Sequence, residues 1–253
     1  MTNHDYPRQI NFESVFNFRD LGGYETYEGY TVAWRRLFRS GELHHMTEGD
    51  LIRLREEFGL TAVIDLRSSF EIKQQGVGLL SGSGIKYHNV SFITDGGDRK
   101  ANELRYQGFT NMGEFYLYLV RQKEFVKRIV EALDIIAAPE NHPLIFHCSA
   151  GKDRTGILAA VLLSLLNVKD EDIIHDYSIS QAHIEALLNR LKSQPQMAED
   201  LKSLPEYFWT AAPDSMALFL ATLKEEYGSV RGYLKTQGAD LSLIHRLEKA
   251  LLT

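Results

Sequence analysis

The sequence predicts an α/β fold, a central sheet flanked by helices and followed by an all-helical C-terminal part. Three observations carry this. Short apolar, β-branched runs alternate with helical stripes as far as residue 147. The only cysteine of the 253 residues stands where a strand-like run gives way to a helix-like one. Beyond it, the remaining periodicity is helical throughout.

Taken in order, Thr31 to Arg39 alternates apolar and polar residues and reads as a strand. Thr47 with Asp50 forms an N-cap pair that opens a helix with Leu51, Leu54 and Phe58 inward, closed by Gly59. Thr61 to Leu66 is a β-branched interior strand. Ser68 and Glu71 give the S-x-x-E pattern of a capped helix start. Ile85 to Val90 is a further strand, and Asp95-Gly96-Gly97-Asp98 a flexible loop. One long helix is expected from Met112 to Ala137, burying Phe115, Leu119, Val126, Ile129, Val130 and Leu133. Pro143-Leu144-Ile145-Phe146 is the strand that leads to the cysteine, and Ile157 to Leu166 the buried helix behind it. In an open α/β sheet, functional loops gather at the carboxyl ends of the strands. The chain reads as a single domain over residues 1–253. Within 178–210 lies an amphipathic stripe with Ile184, Leu187, Leu188 and Leu191, bounded by Pro195 and Pro205. That stretch is either a helical lid or insertion over the site or a face packed on the body.

The chemistry concentrates in His147-Cys148-Ser149-Ala150-Gly151-Lys152-Asp153-Arg154-Thr155-Gly156. Five residues separate Cys148 from Arg154. A cysteine at a strand-to-helix junction, near a helix N-terminus, is in a setting that favours the thiolate. Arg154 offers a planar fork of donors that matches two phosphate oxygens. Ser149, Ala150 and Gly151 are small, as a loop wrapped round an anion requires, and Gly151 tolerates positive φ. Thiolate and anion cradle together are the equipment of a cysteine-dependent phosphatase. An inert buried cysteine beside a solvated turn is the bland alternative, and the density of matching residues argues against it.

This segment resembles the signature loop of protein tyrosine phosphatases in the form His-Cys-x-x-Gly-Lys-Asp-Arg-Thr-Gly. That form is typical of a bacterial group of tyrosine, dual- and triple-specificity phosphatases, some of which act on phosphoinositides. Asn17-Phe18-Arg19-Asp20-Leu21-Gly22-Gly23-Tyr24, Leu37-Phe38-Arg39-Ser40-Gly41, Val63-Ile64-Asp65-Leu66-Arg67-Ser68 with Glu71, and Tyr227-Gly228-Ser229-Val230 with Tyr233-Leu234 resemble its other landmarks. The resemblance runs from residue 17 to 234 and implies a tyrosine-phosphatase-like sheet.

It also implies roles. Cys148 is the nucleophile that forms a phosphocysteine, which water then hydrolyses. Ser149, Ala150, Gly151, Lys152, Asp153 and Arg154 bind the phosphate, and Thr155 hydrogen-bonds the sulfur. His147 orients the loop, while Asp65 and Arg67 brace it or its rim. The general acid stays open. No Trp-Pro-Asp occurs, and at the spacing small dual-specificity enzymes use, the chain reads Tyr116-Leu117-Tyr118 with no carboxylate. The bacterial resemblance points to Asp153; Asp95 or Asp98 of the Gly-Gly loop is the alternative. Lys152 adds a second charge suited to a polyanionic head group, or merely pairs with Asp153. Substrates are therefore expected among phosphotyrosine, phosphoserine/threonine and phosphoinositides.

Bulk properties narrow the field. Hydrophobic content of 44% and charged content of 25% fit a globular protein, and a net charge of −6 with no basic block argues against nucleic-acid partners. One cysteine forms no intrachain disulfide. The N-terminus lacks the apolar core of a signal peptide and no run is long enough to span a bilayer. Cytoplasm is the default location, with leaderless secretion or a trimmed signal left open. No cofactor and no metal site are implied, and His44-His45 reads as a loop. Two rival classes remain: a silent phosphate-binding module and a rhodanese-like sulfurtransferase. The module would lose Cys148, Arg154 or Thr155; the sulfurtransferase has no call for the Gly-Lys-Asp-Arg-Thr-Gly run.

Overall fold

The computed structural model describes residues 6–93, 107–192 and 204–253. Five strands form one sheet: β1 (Arg19–Asp20), β2 (Leu37–Ser40), β3 (Ala62–Asp65), β4 (Lys86–Asn89) and β5 (Leu144–His147), in the order β1-β2-β5-β3-β4. β1 is antiparallel to β2, and the other pairings are parallel. Alternation along the strands divides the core, because successive side chains face opposite ways. Leu37, Ile64, Leu144 and Phe146 pack on one face, and Phe38, Val63 and Ile145 on the other. The inner parallel strands β2, β5 and β3 carry no polar side chain before their last residues except Arg39, as expected of strands covered on both sides, whereas the edge strand β4 carries Lys86 and His88.

The helices are α1 (Glu48–Ile52), α2 (Ser69–Gln75), α3 (Met112–Val120), α4 (Lys123–Ile136), α5 (Asp153–Leu165), α6 (Asp170–Ser178), α7 (Ser180–Lys192), α8 (Pro213–Tyr227), α9 (Val230–Thr236) and α10 (Ser242–Leu251). After β5 the described residues add no further strand to the sheet. Both capping boxes are present: Thr47 with Asp50, and Ser68 with Glu71. α1 runs on into a wider turn over Arg53–Glu57, where Phe58 N–H donates to the Arg53 carbonyl, five residues back.

Two expectations need correction. The strand expected over Thr31 to Arg39 begins only at Leu37, because Arg35 adopts φ +58 and breaks the extended run. Thr31 and Val32 make isolated bridges instead. The single helix expected over 112–137 is two, broken at Arg121 and Gln122. The Val120 carbonyl, which a continuous helix would pair with the fourth residue on, accepts the Tyr233 hydroxyl at 2.6 Å. Of the 178–210 stretch, residues 178–192 and 204–210 are described; Ile184 is buried, and the Gln181 side chain accepts from Ala211 N–H at 2.6 Å. Asp95 and Asp98 lie outside the described residues.

Register places Ser40, His147, Asp65 and Asn89 in one row across β2, β5, β3 and β4. These are the last residues of four parallel strands. Cys148 and Arg67 follow that row within two residues in the chain.

Candidate active site

Cys148 leaves β5 from this row, and the loop after it is fixed from outside. Ser149 carbonyl accepts from Glu42 N–H at 3.0 Å. The Asn17 amide donates to the Ala150 and Gly151 carbonyls, both at 3.1 Å. The Arg39 guanidinium donates to the Gly151 carbonyl at 2.7 Å. Three consecutive carbonyls are thus held outward. In a planar trans peptide the following N–H points the opposite way, so the N–H groups of Ala150, Gly151 and Lys152 face away from these braces. Gly151 has φ +67, and a Cβ there would lie 2.4 Å from the Ser40 carbonyl oxygen. Both conformation and space require glycine at that turn.

The braces are themselves held. Asp176, on α6, accepts from Arg19 Nε at 2.8 Å and Arg39 Nη1 at 2.6 Å, all three side chains being buried. Arg19 also donates to the Asn17 side-chain oxygen at 2.5 Å, which orients the amide toward the loop. Burial alone would raise the Asp176 carboxyl, but the two arginines hold it well below the usual carboxylate range. Arg39 is lowered to about 10 by burial and the neighbouring Arg19.

Inside the loop, the Thr155 hydroxyl donates to Cys148 Sγ at 3.2 Å, and both residues are buried. Arg154 lies at the first turn of α5. Its Nη1 and Nη2 donate to the two oxygens of Glu71 at 2.6 and 2.8 Å, and Nη2 also reaches Ser149 Oγ at 3.2 Å. Ser149 Oγ in turn donates to Glu71 at 2.7 Å. The Glu71 carboxyl would rise on burial, yet Arg154, Ser149 and the Ser68 N–H hold it well below its ordinary value. From sequence Glu71 was read as a helix cap and as part of a family-like segment, with no role at the loop.

Lys152 is buried, and its ammonium donates to the Phe208 and Thr210 carbonyls and lies 3.3 Å from Asp153 Oδ1. Its three donors therefore have three oxygens, two of them on the 205–210 segment. Asp153 Oδ1 also accepts the Tyr116 hydroxyl at 2.6 Å. His147 is buried; its Nδ1 lies 3.2 Å from the Cys148 carbonyl and its Nε2 3.6 Å from Asp65. Burial pushes its imidazole down, with Asp65 opposing. Asp65 accepts from Arg67 at 2.7 Å and Tyr87 at 2.8 Å. That cluster lies at the turn from β3 into α2, the helix that presents Glu71.

The loop residues 147–155 thus come together, with Asp65 and Arg67 one strand away. Asn17, Arg39, Glu71, Tyr116 and Asp176 were not singled out from sequence for this site. Asn17, Arg39 and Glu71 fall in the family-like segments, which was the available signal; their contacts to the loop did not show because the partners are remote in the chain. Elsewhere, His44 and His45 lie in a turn, and with Glu42 bring three potential metal donors within 4.8 Å of one another. The Arg67 guanidinium is 3.2 Å from His44 Nδ1, and burial together with His45 and Arg67 lowers that imidazole to about 4.

The family model described as "Tyrosine phosphatase family" matches residues 10–253. The "triple specificity protein phosphatase PtpB" of Mycobacterium tuberculosis is 27% identical over 275 residues, covering 94% of this chain and 97% of that one. A "tyrosine-protein phosphatase" of Nostoc commune is 28% identical, covering 84% and 73%. Among solved structures, the catalytic core of the PP-IP phosphatase Siw14 from S. cerevisiae aligns with a TM-score of 0.38 at 21% identity, over 68% of this chain and 77% of that one. No described helix is long and apolar enough to cross a membrane. The chain belongs to the tyrosine phosphatase family, the cysteine-type phosphoric monoester hydrolases.

Proposed function

We propose that residues 148–155 hydrolyse phosphate monoesters in two displacements, with phosphotyrosine, phosphoserine/threonine and phosphoinositides as the substrate classes. The observation that carries this is Thr155 Oγ1 at 3.2 Å from Cys148 Sγ, inside a loop whose carbonyls are drawn outward. Cys148 attacks phosphorus as the thiolate. The S–P bond forms, the P–O ester bond breaks, and the ester oxygen leaves with the electron pair and a proton from Asp153. Water then attacks the phosphocysteine, Asp153 takes its proton, and the sulfur leaves as thiolate, stabilised by the Thr155 hydroxyl. Dividing the reaction turns one slow hydrolysis into two easier steps.

Charge on the transferred PO₃ group is met by the outward-braced loop's N–H groups and by Arg154. Glu71 sets the plane of that guanidinium, so the fork is oriented before substrate arrives. Lys152 serves a polyanionic substrate by exchanging the Phe208 and Thr210 carbonyls for phosphate oxygens. The name of the mycobacterial relative supports a wide substrate range. The presence of Cys148, Arg154 and Thr155 together, with the Thr155 hydroxyl on the Cys148 sulfur, favours turnover over a silent binding module. Cys148→Ser is expected to abolish hydrolysis of a phosphotyrosine peptide while retaining vanadate binding by calorimetry. Turnover retained in that variant refutes the scheme.

A further inference from the structure

Two tyrosines that the reaction scheme does not use meet the acid of the loop. Tyr116 projects from α3, is fully buried, and its hydroxyl donates to Asp153 Oδ1 at 2.6 Å. Tyr177, from α6, has its hydroxyl 2.8 Å from that of Tyr116 and is equally buried. A phenol carries one proton. With the Tyr116 proton on Asp153, the Tyr177 proton lies between the two phenols, giving a directed chain Tyr177 to Tyr116 to Asp153. The rings are fixed edge to face: Tyr116 makes T-shaped contacts with Tyr177 and with Phe219 of α8. Burial, then the charge of Asp153, pushes the Tyr116 phenol well above its ordinary value, so it remains a donor throughout the working range.

From this geometry we infer that Tyr116, backed by Tyr177, is a positioning residue that selects which oxygen of Asp153 carries the transferable proton. The inference rests on Asp153 being the general acid. Oδ1 faces two donors, the Tyr116 hydroxyl and the Lys152 ammonium at 3.3 Å, and is the less basic oxygen. The proton therefore resides on Oδ2. When Asp153 is protonated, Oδ1 is its carbonyl oxygen and still accepts from Tyr116, so the carboxyl plane is held in both states. Among the described residues, Tyr116 from α3 and Lys152 contact Asp153, Tyr177 from α6 stands behind Tyr116, and Arg154 follows in the chain. No covalent step is assigned to either tyrosine. A hydroxyl at residue 116 does for orientation what packing alone does not, since a phenylalanine ring would fill the same space.

The test is the pH–rate profile and the leaving-group dependence of Tyr116→Phe, with Tyr177→Phe and Asp153→Asn alongside. A donor to a carboxylate favours the ionised form. Its removal is expected to displace the alkaline limb upward. Loss of orientation is expected to lower kcat about tenfold on a phosphoserine peptide, a fraction of the 10²–10⁴ that general acid catalysis supplies. KM should change little, and an activated aryl phosphate should lose less. Tyr177→Phe, which leaves Tyr116 in place, should give a smaller shift in the same direction. If Asp153→Asn removes the alkaline limb but Tyr116→Phe leaves limb and leaving-group dependence as in the wild type, this inference fails and the acid assignment stands. If Asp153→Asn keeps the limb, both fail. Circular dichroism melts of Tyr116→Phe and Tyr177→Phe separate either result from unfolding.

Discussion

At Glu71 one carboxylate accepts from the Ser68 N–H that begins α2 and from both terminal nitrogens of Arg154. The two duties separate in one variant. Glutamine also completes a capping box, but it carries no charge for the guanidinium. Glu71→Gln is expected to change stability by less than about 1 kcal/mol and to lower kcat/KM at least tenfold, as measured by thermal melts and initial rates. Comparable losses in both readouts would mean that the residue is only a cap. The Glu71 carboxyl is held below its ordinary value, so it stays ionised above about pH 4.3. Any acid limb above that pH belongs to another group.

The elements around the loop are joined by one buried ionic cluster, Arg19 of β1 and Arg39 of β2 on Asp176 of α6. Removing one partner of such a cluster strands the remaining charges without water. Asp176→Asn is therefore expected to destabilise the fold by about 3–5 kcal/mol, read from urea denaturation; a loss under 1 kcal/mol would contradict the buried geometry. The sign with pH follows from the lowered carboxyl. The cluster's contribution is present above the unfolded value of about 3.9 and is lost as pH falls through the still lower folded one. Asp20 opposes it: burial raises its carboxyl to about 6, so its cost to stability builds as pH rises from the unfolded value toward 6 and is complete above that pH. Local signals located the elements well. Both capping boxes were legible because each partner lies three residues away, and the strands before Arg67 and Cys148 because their apolar runs are contiguous. The break between α3 and α4 was not, since the Tyr233 hydroxyl that takes the Val120 carbonyl comes from a helix near the other end of the chain.

Across the whole molecule the same division holds. The proposed catalytic loop is contiguous, so residues 147–156 could be read as one unit together with their expected roles. The groups that brace it come from residues 17, 39, 71, 116 and 176, and only the fold brings them to the carboxyl row of the sheet. Lys152 shows the limit of reading charge from sequence. Its ammonium joins the loop to the 205–210 segment, a contact that composition does not encode. The account as a whole depends on a phosphoryl group passing through sulfur. Thr155→Ala removes the donor to Cys148 Sγ and should slow departure of the thiolate more than its attack. Acid-quenched Thr155→Ala, mixed with a phosphotyrosine peptide and mapped by mass spectrometry, is expected to carry one PO₃ group on Cys148 after a burst of released phenol. Continued release of phosphate with Cys148 unmodified at every quench time would contradict it.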